Sequence, residues 1–528
     1  MPLVVAFTAR RREVKLEPAI PGRHPDRWEL LSLNRAREAS TMGNQKWTRR
    51  EVIRTGVVTA AGLMASTAAR RTQAAPQAQG TLGANDRIRV AVAGVNGRGR
   101  SHIGAFVGRK NECELAYLVD PDSRLFAKWD KQLEAKGAKA PVMVQDVRRV
   151  LEDKSVDVVS IATPNHWHAL MTIWACQAGK DVYVEKPMSH NVHEGRVAAD
   201  AARKYNRIVQ HGTQSRSDAA WANVVAVIKS GKLGKLLVAR ALCYKPRGSI
   251  GFKEIAQPPK ELDFGLWLGP VREQPYHENL VHYNWHWFWD FGNGDIGNQG
   301  VHQMDIARWG IPGATLPKSV ISLGGRFGYK DQGQTPNTQL AIMDFGDTQL
   351  IFEVRGLETK KFHGSGIGNI FHLEAGMIVD RKFYPKDSNQ PAPLPKVDES
   401  RGPGGEDHFA NFIAAVKSRK ITDLNAEILE GHYSSALCHL ACLSQQLGKP
   451  APFNPKTKAF GDNKDAYETL GRMEEHLKGN GVKLEETEYV LGRKLTVDAK
   501  AETITGDAEA AKMIFAEYRK PFVVPETL

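Results

Sequence analysis

The 528-residue chain has little cysteine: five residues, at 113, 176, 243, 438 and 442, an odd number with no C-x-x-C pair. That pattern argues against a disulfide framework or a cysteine-built zinc module, and no structural disulfide is expected. Cys438 and Cys442, four apart on an apolar helical pattern, read as two small core side chains. Long hydrophobic runs are missing too. The one candidate, the Ala- and Gly-rich stretch 55–69, is shorter than the ~20 residues that a membrane span needs. No Lys/Arg run with interleaved aromatics occurs, so no nucleic-acid partner is expected. The formal charge of +13 is largely N-terminal, because residues 1–75 hold 14 Lys/Arg against 6 Asp/Glu.

What is present is length. A single core stops growing near ~250–300 residues, so two domains with extensions are expected. Thr48-Arg49-Arg50-Glu51-Val52-Ile53-Arg54, followed by the mild apolar stretch, resembles a twin-arginine export signal. The expectation is an upstream extension at 1–41 with translation starting at Met42, a signal and linker at 42–78, and a periplasmic or otherwise exported mature protein without a membrane span. That route carries folded proteins and suits an enzyme that acquires a cofactor before export.

The first domain is expected at 86–211. Asp86 to Ala93 reads as a buried strand, followed at once by Gly94-Val95-Asn96-Gly97-Arg98-Gly99-Arg100, a helical stretch, and a second strand, Cys113 to Val119, ending in Asp120. Strand, glycine-rich turn, helix, strand and acid make a dinucleotide-binding unit. The glycines let the backbone approach a pyrophosphate while the helix start offers free N–H groups. Asp120 suits the adenosine ribose of NAD, and Arg124 offers a partner for the extra phosphate of NADP. Asn96 occupies the middle glycine position of the fingerprint and tolerates positive φ better than most residues. Two more strands, near 155–162 and 181–184, run into Thr163-Pro164-Asn165-His166-Trp167-His168 and Glu185-Lys186-Pro187, at the strand ends where doubly wound sheets place ligands.

AGVNGRG, ATPNHWHA, EKPMSHN and GNGDIGNQGVHQMDIARW occur in that order across residues 87 to 309. In this the chain resembles the Gfo/Idh/MocA (glucose-fructose oxidoreductase / inositol dehydrogenase) family. The resemblance implies an α/β protein: an N-terminal Rossmann domain plus a C-terminal α+β domain with an open, mostly antiparallel sheet. It also implies a nicotinamide pocket lined by Thr163, Pro164, Asn165 and His168 beside Glu185, with Lys186 next to the transferred hydride. The bland alternative for Lys186 is a solvated surface lysine.

The second domain is expected at 212–448, with a helix near 219–230, strands at 235–244, 338–345 and 348–354, and helices at 408–419 and 426–447; residues 449–528 read as a partly helical extension wrapping the domain or a neighbour. The DFGDT connection reads as a hairpin. Where the family pattern has an acid four residues before a histidine, this chain has Asn298 before His302, with Asp305 three residues further on. Asn cannot take a proton, so His302 is expected as general base, Lys186 as the group that polarises the oxygen, and Asp295 as a substitute acid. A buried structural histidine is the alternative for His302. Trp285, with Trp287, Phe288 and Trp289, reads either as a sugar platform or as core and subunit contact. The histidines at 166, 168, 277, 282, 286 and 302 raise the question of a metal, but no metal is expected.

The expected function is NAD(P)-dependent oxidation of a sugar or cyclitol hydroxyl with tightly held cofactor, in a dimer or tetramer built on the open sheet face. Two alternatives stand beside it: redox-assisted glycoside cleavage or hydration, and a non-catalytic sugar-binding relative.

Overall fold

The computed structural model of the chain describes residues 87–397 and 403–528; the segments read as extension and export signal lie outside them. Six short parallel strands form the first sheet: β1 Ile88–Ala93, β2 Cys113–Val119, β3 Val142–Val144, β4 Val158–Ile161, β5 Asp181–Val184 and β6 Val209–His211. They lie in the order β3-β2-β1-β4-β5-β6. Every residue of β4 and β5 is buried, because both faces are covered, and such strands read as unbroken apolar runs. Between β1 and β4 the strand order reverses, and the crevice at that switch point lies beyond the strand C-termini. Helices α1 (Gly99–Val107), α2 (Asn165–Gln177) and α3 (Val192–Lys204) begin at those ends.

The second sheet has eleven strands: β7 Leu236–Tyr244, β8 Ser319–Gly325, β9 Thr338–Asp344, β10 Gln349–Arg355, β11 Ile367–Leu373, β12 Gly376–Val379, β13 Lys382–Pro385, β14 Lys449–Pro452, β15 Glu488–Leu491, β16 Leu495–Asp498 and β17 Thr503–Thr505. Its path is β13-β12-β11-β7-β10-β9-β8-β15-β14, with β16 beside β8 and β17 beside β16. Only β7 and β10 pair in parallel. The DFGDT turn joins β9 to β10 as an antiparallel hairpin, Gln349 opposite Asp344.

One face of this sheet packs on α4 (Gly300–Gly310) and α5 (Ile428–Gln446), where Val301, Met304, Leu437 and Leu440 meet Ala241, Phe352 and Phe371. On the other face, expected to be free for a subunit, lies α6 (Lys464–Gly479) from the chain's own C-terminal region. Its Ala466, Leu470, Met473 and Leu477 cover Val238, Ile321, Leu340, Ile342 and Ile351. Each fully buried aliphatic side chain contributes roughly 1.5–3 kcal/mol, so this contact is part of the domain core. Residues 449–528 are therefore woven into the second domain, supplying edge strands and a covering helix. Their last stretch reaches the first domain, where the Phe522 ring stands edge-on to Trp167 at 5.5 Å.

The long connection between β7 and α4 also folds back on the first domain. Ser123 N donates to Glu261 O, Asp263 N to Pro121 O, and the Trp167 indole to Leu266 O. It carries a small apolar core of its own, Leu262, Trp267, Leu280, Trp287, Phe288 and Phe291. Arg519 ties the tail to the same connection through the carbonyls of Gly269 and Val271. All five cysteines are buried and unpaired. Among the described residues no helix is long and apolar enough to cross a membrane.

Candidate active site

At the switch point lies a cavity of about 510 Å³. Its floor is the glycine-rich turn. Gly94 has φ +82°, and a Cβ there would lie 2.5 Å from Ala162 O; one on Gly99 would lie 1.8 Å from Gly94 O. Gly97, also at positive φ, faces open space. Close packing below and room above is the shape that a pyrophosphate cradle needs. Asn96 lines the same cavity and holds the turn from the side, its amide oxygen accepting from Arg100 at 3.3 Å and from Lys128 at 3.5 Å.

Asp120 closes one end. Its two oxygens accept from Val95 N at 3.0 Å and Asp122 N at 3.1 Å, and burial pushes its carboxyl up to about 6 against those two bonds. Arg124 sits elsewhere: its guanidinium grips Asp122 in a fork at 2.6–2.8 Å and does not line the cavity. As placed, it is committed to a carboxylate and is not presented to a ribose phosphate.

The wall is the end of β4. Thr163, Pro164, Asn165 and His168 line it, and the Thr163 hydroxyl is buried with no hydrogen-bond partner among the described residues. Asn165 donates to the Asn293 side chain at 3.2 Å. The His168 ring lies between Pro187 O at 2.6 Å and Thr163 O at 2.8 Å, which fixes the two loops relative to each other. The glycine cradle, the acid at the strand end and the orphaned hydroxyl fit a dinucleotide.

Glu185 and Lys186 form the opposite wall. Glu185 accepts from Arg98 at 2.8 Å, Gln214 at 3.0 Å and the His102 ring at 3.1 Å. Burial opposes its charge, but His102 and Arg98 outweigh that and hold the carboxyl well below the usual range. Lys186 Nζ donates to the backbone carbonyl of Asn298. Burial pushes the Lys186 ammonium below the ordinary lysine range, against the pull of Glu185. Asn298 thus serves Lys186 through its main chain, and the residue lines the cavity. His302, one turn on, faces the same space with no side-chain hydrogen bond among the described residues; burial, reinforced by the positive charge of Lys186, pushes its ring down to about 3.

Besides Arg124, two expected charged site residues lie outside the cavity. Asp295 is fully buried in a fork with Arg247, at 2.9 and 2.6 Å, and is no substitute acid facing substrate. Asp305 is enclosed by Arg216 at 2.9–3.0 Å and the Ser434 hydroxyl at 2.6 Å, so it has no route to a substrate. Of the aromatic cluster, Trp285 lines the cavity while Trp287 and Phe288 are core. The neighbouring histidines diverge: His282 pairs with Asp122 at 2.8 Å, whereas His286 donates to its own loop at Tyr283 O. Arg98, Gln214, His282 and Tyr283 also line the cavity. Arg98 stands inside the fingerprint and Tyr283 inside the aromatic segment, so both were in view without a signal of which way they point.

A parallel dinucleotide-binding sheet and a mixed second sheet meeting at one crevice define a two-domain, nucleotide-binding α/β class. Residues 88–213 match the model of the Gfo/Idh/MocA oxidoreductase family's NAD-binding Rossmann fold, and residues 241–317 match that family's C-terminal alpha/beta domain. Over these two stretches the chain is similar to the Gfo/Idh/MocA family. It is similar to the scyllo-inositol 2-dehydrogenase (NAD(+)) of Bacillus subtilis, 30% identical over 149 residues, which are 28% of this chain and 42% of that protein. It is also similar to the levoglucosan dehydrogenase of Pseudarthrobacter phenanthrenivorans, 31% over 148 residues, 26% and 38% of the two chains. A glycosyl hydrolase family 109 protein of Shewanella pealeana matches at 26% over 212 residues, 37% and 46% of the two chains. The chain spans less than half the length of these curated relatives. A levoglucosan dehydrogenase solved with NADH and L-sorbose superposes with a TM-score of 0.50 at 17% identity, covering 67% of this chain and 96% of that one, a likeness of fold.

Proposed function

We propose that the chain is an NAD-dependent oxidoreductase acting on a hydroxyl of a sugar or cyclitol. The observation that carries this is one cavity holding the glycine cradle and Asp120 at one end and Lys186 with His302 at the other. NAD, when bound, supplies the hydride acceptor. Gly94, Gly97 and Gly99 would admit its pyrophosphate, Asp120 its ribose, and the Thr163 hydroxyl the nicotinamide half.

The proton side falls to the chain. Lys186, with its ammonium disfavoured by burial, takes the hydroxyl proton on Nζ while another of its hydrogens stays on the Asn298 carbonyl. His302 remains neutral at ordinary pH, so it accepts a hydrogen bond from the polyol and orients it. This reverses the division of labour expected from the sequence, because a ring held near 3 is a poor base. Trp285 lines the cavity and offers an aromatic surface on which the sugar's C–H groups can stack.

We further propose export by the twin-arginine route with the nucleotide already held, on the strength of Thr48 to Arg54. Any dimer or tetramer is proposed to use a surface other than the one α6 covers. The first test is to denature the purified protein and identify released nucleotide by chromatography. Near-stoichiometric NAD(H) is expected; a protein that is empty and fails to bind added nucleotide would overturn the reading. Similarity to a glycosyl hydrolase family 109 protein favours one second reading, transient oxidation that assists glycoside cleavage. Release of an aglycone from a glycoside without net reduced nicotinamide separates the two.

A further inference from the structure

We infer that Tyr283 is a substrate-positioning residue whose phenolic hydroxyl donates a hydrogen bond to an oxygen of the polyol held against Lys186 and His302, with Arg247 and Asp295 setting the direction of that bond. This rests on reading the cavity as a polyol site.

Tyr283 lines the cavity together with Lys186, Trp285 and His302, and it is 56% exposed. Its hydroxyl lies 3.1 Å from Arg247 Nη1. A guanidinium has donors only, so the phenol oxygen must accept there. The phenolic hydrogen is then left to point elsewhere, and among the described residues the hydroxyl has no second hydrogen-bond partner.

Arg247 cannot swing away. Its Nε and Nη2 occupy both oxygens of Asp295, a carboxylate with no exposure, and its backbone carbonyl accepts from the Tyr329 hydroxyl at 3.2 Å. The other end of the tyrosine is fixed as well. Tyr283 O accepts from His286 Nδ1 at 2.7 Å, and the two rings meet at 4.9 Å. An aromatic side chain more than half exposed, yet held at its backbone by a buried ring and at its hydroxyl by a guanidinium anchored on a buried carboxylate, is preorganised for something outside the protein. Asp295 does not reach the cavity and acts through Arg247, which explains why a buried acid stands in this segment.

The test uses the nucleotide-loaded full chain and its Tyr283→Phe variant, which leaves the ring and removes only the exposed hydroxyl. A panel including scyllo-inositol, levoglucosan and free aldoses is measured by calorimetry and by nicotinamide absorbance. For the tightest polyol, Kd and KM are expected to rise about tenfold in the variant, the size of one good hydrogen bond, with kcat changed far less. Nucleotide content and thermal midpoint should stay level. With the deoxy analogue that lacks the accepting oxygen, the two proteins should bind alike. Equal affinities for every polyol overturn the inference, as does a tenfold difference that persists for all deoxy analogues. A wild-type chain that binds polyols with that ratio but never reduces nicotinamide overturns the oxidoreductase reading alone. A wild-type chain that binds none overturns both.

Discussion

Lys186→Met is expected to lower kcat for alcohol oxidation by about 10³-fold while the protein keeps its nucleotide, within the range that a positioned proton-transfer group contributes. Methionine preserves most of the stem and removes the ammonium. Because burial already disfavours that charge, the variant should fold at least as well as the parent. The Asn298 carbonyl loses one donor, a cost of about 1–3 kcal/mol that the lost desolvation offsets. The pH dependence makes the assignment specific. If neutral Nζ takes the proton, the oxidation rate rises with pH through an apparent pKa below the ordinary lysine range and levels off once the amine is free. Stopped-flow absorbance of reduced nicotinamide across pH should show that limb in the parent and none in the variant. An unchanged rate in the variant would move the proton to His302 and return the roles to those read from the sequence.

A second large effect concerns stability in acid. Burial pushes His166, His211 and His302 down to about 3 and His286 and His408 down to about 4. In the unfolded chain each titrates near ~6.5. Near pH 5 the folded state therefore carries these rings neutral while the unfolded state binds their protons, so stability falls as pH falls through that window. Two carboxyls act the other way. Asp120, pushed up to about 6, and Glu194, pushed up to about 7 by burial, hold protons in the fold that the unfolded chain releases. Over these seven groups the net uptake on unfolding near pH 5 is about three protons, a slope on the order of 4 kcal/mol per pH unit, which His372 and His476, also pushed down to about 4, steepen. Against a total stability of roughly 5–15 kcal/mol, a drop of two to three units unfolds the chain. Guanidinium unfolding followed by tryptophan fluorescence between neutral pH and pH 4 should show this as a steep fall in midpoint. A flat profile would mean that the rings take up protons as readily in the fold as in the unfolded chain.

Much of the first domain was legible because buried parallel strands are contiguous apolar runs and their ligand loops follow at once. The turn from Gly94 to Gly99, Asp120, Thr163 to His168, and Glu185-Lys186 all fall at such ends. What escaped was which way a carboxylate faces. Asp295 finds its partner 48 residues away in Arg247, and Asp305 finds one 89 residues away in Arg216. A carboxylate beside a histidine looks the same in sequence whether it meets substrate or a guanidinium from a distant part of the chain. Arg124 was displaced by a closer competitor, Asp122, two residues back. The last eighty residues hid their role for another reason. Strands such as β15 and β16 are short and half polar, and the amphipathic pattern of α6 announces a helix without saying which apolar surface it covers.

That covering helix has a consequence for how the protein behaves at low abundance. A sheet face that needs a second chain is exposed whenever subunits separate, and its unfolding midpoint then shifts with protein concentration. Here the cover is tied to the sheet by covalent bonds, so dilution does not remove it. If no other surface binds a second copy, the thermal midpoint is expected to stay constant over a thousandfold range of concentration. A single copy at high dilution would keep this sheet face covered without help from a partner.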